Sequence, residues 1–155
     1  MKFKYILFAA FLPALMAVAQ EPSHTTPARA EKLVKSAVDY AKKNGMDKLI
    51  LQTNLPHGIF HVGTGAELYI LIYDMKGNCK AIGYGTETFV GKNRYDFKDP
   101  NGIYVVREFI KTVTTKNHGW VDYSYPNPTT GQNQAKTSYV ELCDGLAVGA
   151  GSYKD

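Results

Sequence analysis

The spacing of the apolar residues changes once along the chain, and this change constrains the fold class most strongly. Between residues 26 and 45 the apolar residues recur every three or four positions, as on one face of a helix of about five turns. Thr26-Pro27 is typical of a helix start, and Lys42-Lys43 with Gly45 is typical of a helix end. A shorter helix is predicted over residues 46–53. From residue 59 onward, short runs rich in β-branched and aromatic residues replace the helical period.

These later runs predict a meander of strands that a second helix interrupts. The strands are expected over residues 59–62, 68–73, 79–83, 119–125, 136–143 and 146–153. Gly77 suits a hairpin turn over residues 74–78, and Asp99 is expected to cap a helix over residues 102–116. The order helix, strands, helix, strands predicts an α+β domain, with an antiparallel sheet and its helices packed on one face.

The first twenty residues have the features of a secretory signal peptide. Lys2 and Lys4 precede an apolar stretch over residues 5–16, and small residues follow at the predicted cleavage point after Ala19 or Gln20. The alternative is an uncleaved membrane anchor, but the apolar stretch is short and Pro13 interrupts it. We therefore expect a signal peptide over residues 1–20, a single domain over residues 21–155, and a periplasmic or secreted protein.

Composition excludes several classes of function. The chain has 155 residues, of which 45% are apolar and 21% charged, so a disordered chain or a coiled coil is excluded. Without the leader, 16 basic residues face 14 acidic ones. This balance gives no argument for a nucleic-acid partner, which a clustered basic face would indicate.

The sequence offers little support for an enzyme or a metalloprotein. The stretch Gly91-Lys92-Asn93 lacks the remaining residues of a phosphate-binding loop, and His57 with His61 has no evident third metal ligand. No nucleophile motif occurs and the carboxylates are scattered, so no catalytic residue, metal or cofactor is expected. Cys79 and Cys143 are either a disulfide, which export would permit, or two buried thiols.

The most informative stretch is GWVDYSYPNPTTGQNQAKTSY over residues 119–139. In an extended strand Tyr123 and Tyr125 share one face, and Trp120 lies on the other. Lys136 begins the next strand, with Tyr139 on the face opposite to it. A lysine ammonium and tyrosine hydroxyls beside a hairpin suit a small carboxylate ligand. The alternative interpretation is an ordinary aromatic core beneath a hairpin.

Several stretches together resemble the single Cache domain, type 2. They are YILIYD (69–74), MKG (75–77), VGKN (90–93), residues 96–101, GWVDYSYPNP (119–128), KTSYV (136–140) and VGAGSY (148–153). The resemblance covers residues 28–153, and the block GWVDYxxPNP…KxxYV is its most specific part. Tyr125 stands where the family more commonly has Trp, and Cys79 begins a stretch in which many members carry a His.

The resemblance implies a PAS-like fold, with a long N-terminal helix packed on an antiparallel sheet of five or six strands. It also implies extracytoplasmic sensing of a short organic acid such as acetate, propionate, pyruvate or lactate. Family members usually sit in membrane receptors, whereas we expect this chain to be a free-standing exported version that needs a partner to signal. The alternative is an interaction module without a small ligand, which docks on a membrane sensor or transporter as a homodimer through its long helix.

The expected ligand site centres on Lys136, which would supply the positive charge. Tyr123 and Tyr139 are expected to supply hydrogen bonds, and Trp120 or Tyr125 to form a wall. Further wall candidates are Phe60 and Tyr104.

Overall fold

The computed structural model of the chain describes residues 25–62 and 66–154, so the predicted signal peptide lies outside the described residues. The long first helix, α1, spans Pro27–Asn44, and α2 spans Met46–Asn54. The side chain of Thr26 accepts a hydrogen bond from the Arg29 amide and caps α1, as the sequence predicts. Gly45 ends α1 with a φ of 95°, which favours glycine.

Two further helices follow. The short helix α3 spans Thr86–Phe89 within a stretch predicted as loop, and α4 spans Val105–Lys116. The expectation that Asp99 caps α4 is wrong, because its carboxylate accepts hydrogen bonds from the amides of Asn101, Ile103 and Ser124 instead. Asp99 thus ties the loop before α4 to the sheet.

Five strands form one antiparallel sheet in the order β2-β1-β5-β4-β3. They are β1 (Leu71–Tyr73), β2 (Cys79–Ile82), β3 (His118–Pro126), β4 (Asn133–Cys143) and β5 (Leu146–Tyr153). The strand predicted over residues 59–62 does not form. The Phe60 amide instead donates to the carbonyl of Gln52 at the end of α2. The other five predicted strands form, with the long N-terminal helix packed on them, but only β3, β4 and β5 make a meander, because β1 pairs with β5 as well as with β2.

The helices cover both faces of the sheet, not one as the sequence suggested. Helices α1 and α2 pack on the face that carries Ile72, Tyr139 and Val148, which we call the α1 face. Helix α4 packs on the opposite face, which carries Tyr123 and Val140 and which we call the α4 face. Strand alternation sends neighbouring residues into different cores, because successive side chains of a strand point to opposite faces.

No helix within residues 25–62 and 66–154 is long and apolar enough to cross a membrane.

Candidate ligand-binding site

Lys136 lies in the interior of the protein, on the α4 face of β4. Its backbone pairs with Tyr123 of β3 on one side and with Tyr153 of β5 on the other, so the three side chains share this face. Only 1% of Lys136 is exposed to solvent. A lysine is rarely buried to this degree unless a partner compensates for the lost hydration of its charge.

The partners of the Lys136 amine are tyrosines. Nζ donates hydrogen bonds to the hydroxyl oxygens of Tyr69, at 3.0 Å, and of Tyr153, at 3.3 Å. The Tyr153 hydroxyl in turn donates to the carbonyl oxygen of Pro126, which leaves its lone pairs for the lysine. Nζ also lies 4.3 Å from the ring centroids of both tyrosines and 5.6 Å from that of Tyr125. The aromatic faces therefore give the ammonium a partly favourable electrostatic environment.

No carboxylate in the described part of the chain forms an ion pair with Lys136. Burial lowers the pKa of Lys136 from 10.5 to about 7, and the negative charge of Glu67 offsets this shift only in part. Glu67 is itself engaged, since it accepts a hydrogen bond from the side chain of Asn127. An anion brought next to the amine would favour its charged form and raise this pKa.

A small cavity lies on the α4 face beside these tyrosines. Its volume is about 20 Å³, which is enough for roughly one water molecule. Aromatic and aliphatic side chains form most of its wall. The lining residues are Tyr69, Leu71, Tyr73, Ile82, Arg94, Phe97, Val105, Val106, Phe109, Tyr123 and Tyr125. The cavity is therefore apolar around most of its surface, with tyrosine hydroxyls and one guanidinium as its polar groups.

Arg94 is the cation that lines this cavity, and no motif in the sequence indicated it. Lys136 is not one of the lining residues and adjoins the cavity through Tyr69 and Tyr125. Its guanidinium carbon lies 4.0 Å from the ring centroid of Phe97 and 5.3 Å from that of Phe89. Its Nε is buried and has no hydrogen-bond partner among the described residues, which also offer Arg94 no ion pair. Burial raises the pKa of Tyr125, and the positive charge of Arg94 partly opposes this rise.

The Tyr123 hydroxyl is held by Ser138 rather than by Lys136. The two side-chain oxygens lie 2.8 Å apart. Burial raises the pKa of Tyr123, as it does that of Tyr69, so both phenols remain neutral around neutral pH. Tyr123 also contacts the ring of Phe109 edge to face, at 5.6 Å between centroids. This contact fixes the tyrosine as a wall of the cavity.

Strand β5 makes room for the lysine side chain by carrying glycine. A Cβ on Gly151 would lie 2.7 Å from Cε of Lys136 and 2.2 Å from Oγ of Ser138, both closer than van der Waals contact allows. The hydrogen of Gly151 lets the aliphatic part of Lys136 cross β5 toward Tyr69. Gly151 is part of the stretch VGAGSY, but the sequence does not indicate what would face it.

The structure brings together only some of the residues expected at the site. Tyr123 and Tyr125 line the cavity beside Lys136. Trp120 and Tyr139 do not line it. Trp120 lies three positions before Tyr123 on β3, and Tyr139 lies three positions after Lys136 on β4. Residues an odd number of positions apart on a strand point to opposite faces, so both side chains point to the α1 face. Their rings contact each other there, at 5.3 Å between centroids.

Phe60 and Tyr104 also lie away from Lys136. Phe60 is buried on the α1 side, where its ring contacts Tyr40 edge to face. Tyr104 precedes α4, and its ring lies beneath the side chains of Lys98 and Arg107. The expectation that these two residues form walls of the Lys136 site is therefore wrong.

Both cysteines are free and buried, so the structure selects the two thiols over the disulfide. Cys79 belongs to the core on the α4 face and Cys143 to the core on the α1 face. The sheet therefore separates the two sulfur atoms. Burial raises the pKa of the Cys79 thiol to about 11.

Comparison with known proteins gives the family of this domain. The profile of the family described as Single Cache domain 2 matches residues 14–155. The chain belongs to this Cache family. The resemblance that the sequence suggested is thereby confirmed over nearly the whole chain.

Individual relatives of this Cache domain are chemotaxis receptors. A segment of 60 residues is 35% identical to the methyl-accepting chemotaxis protein McpP of Pseudomonas putida, and covers 37% of this chain. The match spans only 11% of the length of that receptor. A methyl-accepting chemotaxis protein of Vibrio parahaemolyticus has a similar structure, with a TM-score of 0.66, 22% identity, and coverage of 83% of this chain and 88% of the other.

Two further solved structures share the fold. One is the periplasmic sensor domain of a chemotaxis protein, with a TM-score of 0.59, 23% identity, and coverage of 83% of this chain and 90% of the other. The other is a Cache chemosensory domain described for its recognition of carboxylic acids, with a TM-score of 0.59, 22% identity, and coverage of 83% and 92%. The fold of this chain is thus that of Cache sensor domains.

Proposed function

We propose that this Cache domain binds a small carboxylate outside the cytoplasm, with Lys136 and Arg94 as its cationic contacts. The observation that carries the proposal is the buried amine of Lys136, which two tyrosine hydroxyls hold and no carboxylate of the described chain neutralises. A buried cation without a counterion is costly, and a ligand carboxylate would remove that cost.

The donors of the site match the acceptors of a carboxylate. The Lys136 ammonium has three hydrogens, and the two tyrosine hydroxyls accept two of them. Nε of Arg94 is a second buried donor without a partner. A carboxylate has two oxygens and can accept from both cations at once. The apolar remainder of the cavity wall would contact the hydrocarbon part of the ligand.

The size of the cavity favours a very small ligand. Its volume of about 20 Å³ is close to what one water needs, so even acetate requires the side chains around it to shift. Large aromatic rings fill the surrounding space, among them Tyr73, Phe109 and Tyr123. We therefore propose acetate, propionate, pyruvate and lactate as candidates. The carboxylic-acid-binding Cache domain with a similar structure supports this choice of ligand class.

Export and a role in sensing complete the proposal. The leader over residues 1–20 supports an extracytoplasmic location, as do the periplasmic sensor domains with the same fold. The relatives are receptors, so we propose that a membrane sensor reads whether the ligand is bound. The chain then acts as a binding protein and not as an enzyme.

Calorimetry with the four candidate acids tests the proposal. At least one acid should bind the purified protein. Lys136→Met should weaken that binding roughly tenfold or more, because a hydrogen bond to a charged group is worth about 1.5–3 kcal/mol. Methionine keeps most of the volume of the lysine side chain, so the fold should persist, and circular dichroism checks this.

Lys154→Met is the matched control for Lys136→Met. The Lys154 side chain is 48% exposed and pairs with Asp122 at the surface. This variant should bind the acid as the wild type does. The proposal fails if none of the four acids binds, or if Lys136→Met binds the acid as tightly as Lys154→Met.

A further inference from the structure

The hydrogen bonds of Lys136 match those of a neutral amine. A neutral amine has two hydrogens, and the hydroxyl oxygens of Tyr69 and Tyr153 accept one each, at 3.0 and 3.3 Å from Nζ. The ammonium form adds a third hydrogen, for which the described residues offer no further oxygen or nitrogen acceptor. In the free protein this third hydrogen is a buried donor without a partner, which is costly.

The surroundings of Lys136 oppose its positive charge on balance. The rings of Tyr69 and Tyr153 favour the ammonium, but a cation that is 1% exposed loses more hydration than such contacts restore. Burial therefore lowers the pKa of Lys136 to about 7, and the charge of Glu67 opposes this only in part. A proton on this amine needs a negative partner that the free protein does not supply.

Other titratable groups face Lys136 from the elements packed around it. Most are tyrosines, and burial raises the pKa of each: Tyr69 and Tyr73 at β1, Tyr123 and Tyr125 on β3, and Tyr153 on β5. Burial also raises the pKa of Cys79 on β2, to about 11. The remaining titratable or charged groups are Glu67, Tyr84 and Arg94. Helix α4 contributes apolar side chains to this core, namely Val105, Val106, Phe109 and Val113.

The histidines of the described residues lie away from Lys136. His61 contacts the carbonyl of Thr53 at the end of α2, and His118 contacts Tyr139 on the α1 face. His57 lies in the turn that follows α2. Lys136 is therefore the group through which a pH change near neutrality acts on this site.

A polar cavity beside Tyr153 gives the buried amine a route to protons. Its volume is about 130 Å³, which is room for several water molecules, and Glu67, Tyr153 and Lys154 contribute to its lining. The Tyr153 hydroxyl also accepts from Nζ, so a single side chain separates the amine from this cavity. Lys136 can thus exchange a proton with solvent while the core stays packed.

We propose that the domain takes up one proton from solvent when it binds a carboxylate at Lys136, so that its affinity depends on pH as well as on the acid. The inference rests on the carboxylate site proposed above. Above neutral pH the free amine is Lys–NH2. On binding, the lone pair of Nζ forms a bond to the incoming proton, and the new N–H donates to an oxygen of the ligand. The charges of proton and carboxylate cancel, so the buried site gains no net charge.

Calorimetry in two buffers counts the protons. The sodium salts of acetate, propionate, pyruvate and lactate are screened, and the tightest binder is titrated at about pH 8 in HEPES and in Tris, whose heats of ionisation differ. The difference in binding heat should correspond to nearly one proton taken up per acid bound. The affinity should fall roughly tenfold per pH unit above about pH 7.5, and at about pH 6 the uptake should approach zero because the free amine is already charged.

A pair of lysine variants assigns the proton. The weaker binding that Lys136→Met retains should take up no proton and should not change with pH over this range. Lys43→Met is the matched control, because Lys43 is exposed on α1, and it should bind and take up a proton as the wild type does. Circular dichroism on both variants checks that the fold persists.

Nuclear magnetic resonance locates the proton without relying on a variant that still binds. With 13C-labelled lysine, one Cε signal that is absent from Lys136→Met should titrate with a midpoint of about 7 in the free protein. Saturation with the acid should move this midpoint upward, because a neighbouring anion favours the ammonium.

The outcomes separate this inference from the proposed function. An acid that binds at about pH 8 without proton uptake overturns the inference and leaves the carboxylate site standing. Uptake that Lys136→Met leaves unchanged, or a Lys136 signal that titrates at the ordinary 10.5 in the free protein, overturns it as well. If none of the four acids binds, the inference and the proposed function fail together.

Discussion

The two faces of the sheet are built from the same strands but differ in chemistry. On the α1 face, small and branched residues of the helix pack against Ile70, Ile72 and Val148, and this core is almost entirely apolar. On the α4 face, Lys136 lies among tyrosines beside a cavity, with Arg94 at its wall. Both faces are packed hydrophobic cores, but among the described residues only the α4 face contains a buried lysine and a small cavity lined by a guanidinium and tyrosine hydroxyls. This division is the basis of the predictions below.

The largest effect is expected from a cavity on the α1 face. Ile72 is fully buried there, so Ile72→Ala should lower the free energy of unfolding by about 2–5 kcal/mol. Ligand affinity, measured by calorimetry well below the melting temperature, should stay unchanged. Leu51→Ala is the control, because Leu51 is 51% exposed. If Ile72→Ala abolishes binding in a folded protein, the two faces are not separate in function.

Removal of the second cation should affect binding more than stability. Arg94→Met deletes the buried Nε donor at the cavity and should weaken binding of the preferred acid by about 1.5–3 kcal/mol. Lys92→Met changes an exposed cation two residues away and should leave the affinity unaltered. Calorimetry on both variants measures the difference. If Arg94→Met and Lys92→Met bind the acid equally tightly, Arg94 does not contact the ligand.

A comparison of Gly151 with Gly149, both in β5, separates the space that Gly151 leaves for Lys136 from the general effect of a larger residue on packing. A Cβ at Gly151 meets Lys136, whereas a Cβ at Gly149 meets Val140 and Leu71 at 2.9 and 3.0 Å. Both alanine variants should lose about 1–3 kcal/mol of stability through overpacking. Gly151→Ala should lose more ligand affinity than Gly149→Ala, because it displaces the lysine itself, whereas Gly149→Ala presses on Leu71 of the cavity wall. Calorimetry that finds equal affinities in the two variants would contradict this role.

The stability of the fold should also depend on pH. The pKa of Lys136 is about 7 in the folded protein and 10.5 when the chain is unfolded. Because the unfolded chain binds more protons between these values, this residue makes stability rise with pH above about 7, by at most about 1.4 kcal/mol per pH unit. Below pH 7 the cost of burying the charge is constant.

The difference between Lys136→Met and the wild type isolates this contribution. Denaturant unfolding between about pH 7 and pH 9 should show the stability advantage of the methionine variant shrinking as pH rises. A difference that does not change with pH would mean that the buried amine keeps its ordinary pKa.

The sequence predicted most of the fold because strong local signals agree with it. Thr26 and Gly45 bound α1, and Gly77 forms the predicted turn with a φ of 82°. The strand over residues 59–62 was wrong because a short apolar run carries no signal for a backbone bond to α2. The side on which α4 packs was also missed, since strand alternation marks two faces but not which helix covers each.

The site was predicted only in part, for a similar reason. Alternation along β3 and β4 correctly separates Lys136 from Tyr139, yet it cannot show which distant residues reach the amine. Tyr69 lies 67 positions from Lys136 in sequence, and only the order of the strands brings them together. Arg94 directly follows the stretch considered as a phosphate-binding loop, but nothing in that stretch indicates that its guanidinium faces a cavity.

The central claim is that a small carboxylate binds the Lys136 amine on the α4 face. A crystal structure of the protein grown with the preferred acid tests it most directly. The account predicts a carboxylate within hydrogen-bonding distance of Nζ of Lys136, with the side chain of Arg94 on its other oxygen. A ligand found elsewhere, for example against Trp120 and Tyr139, with the lysine contacting only its tyrosines, would contradict the account.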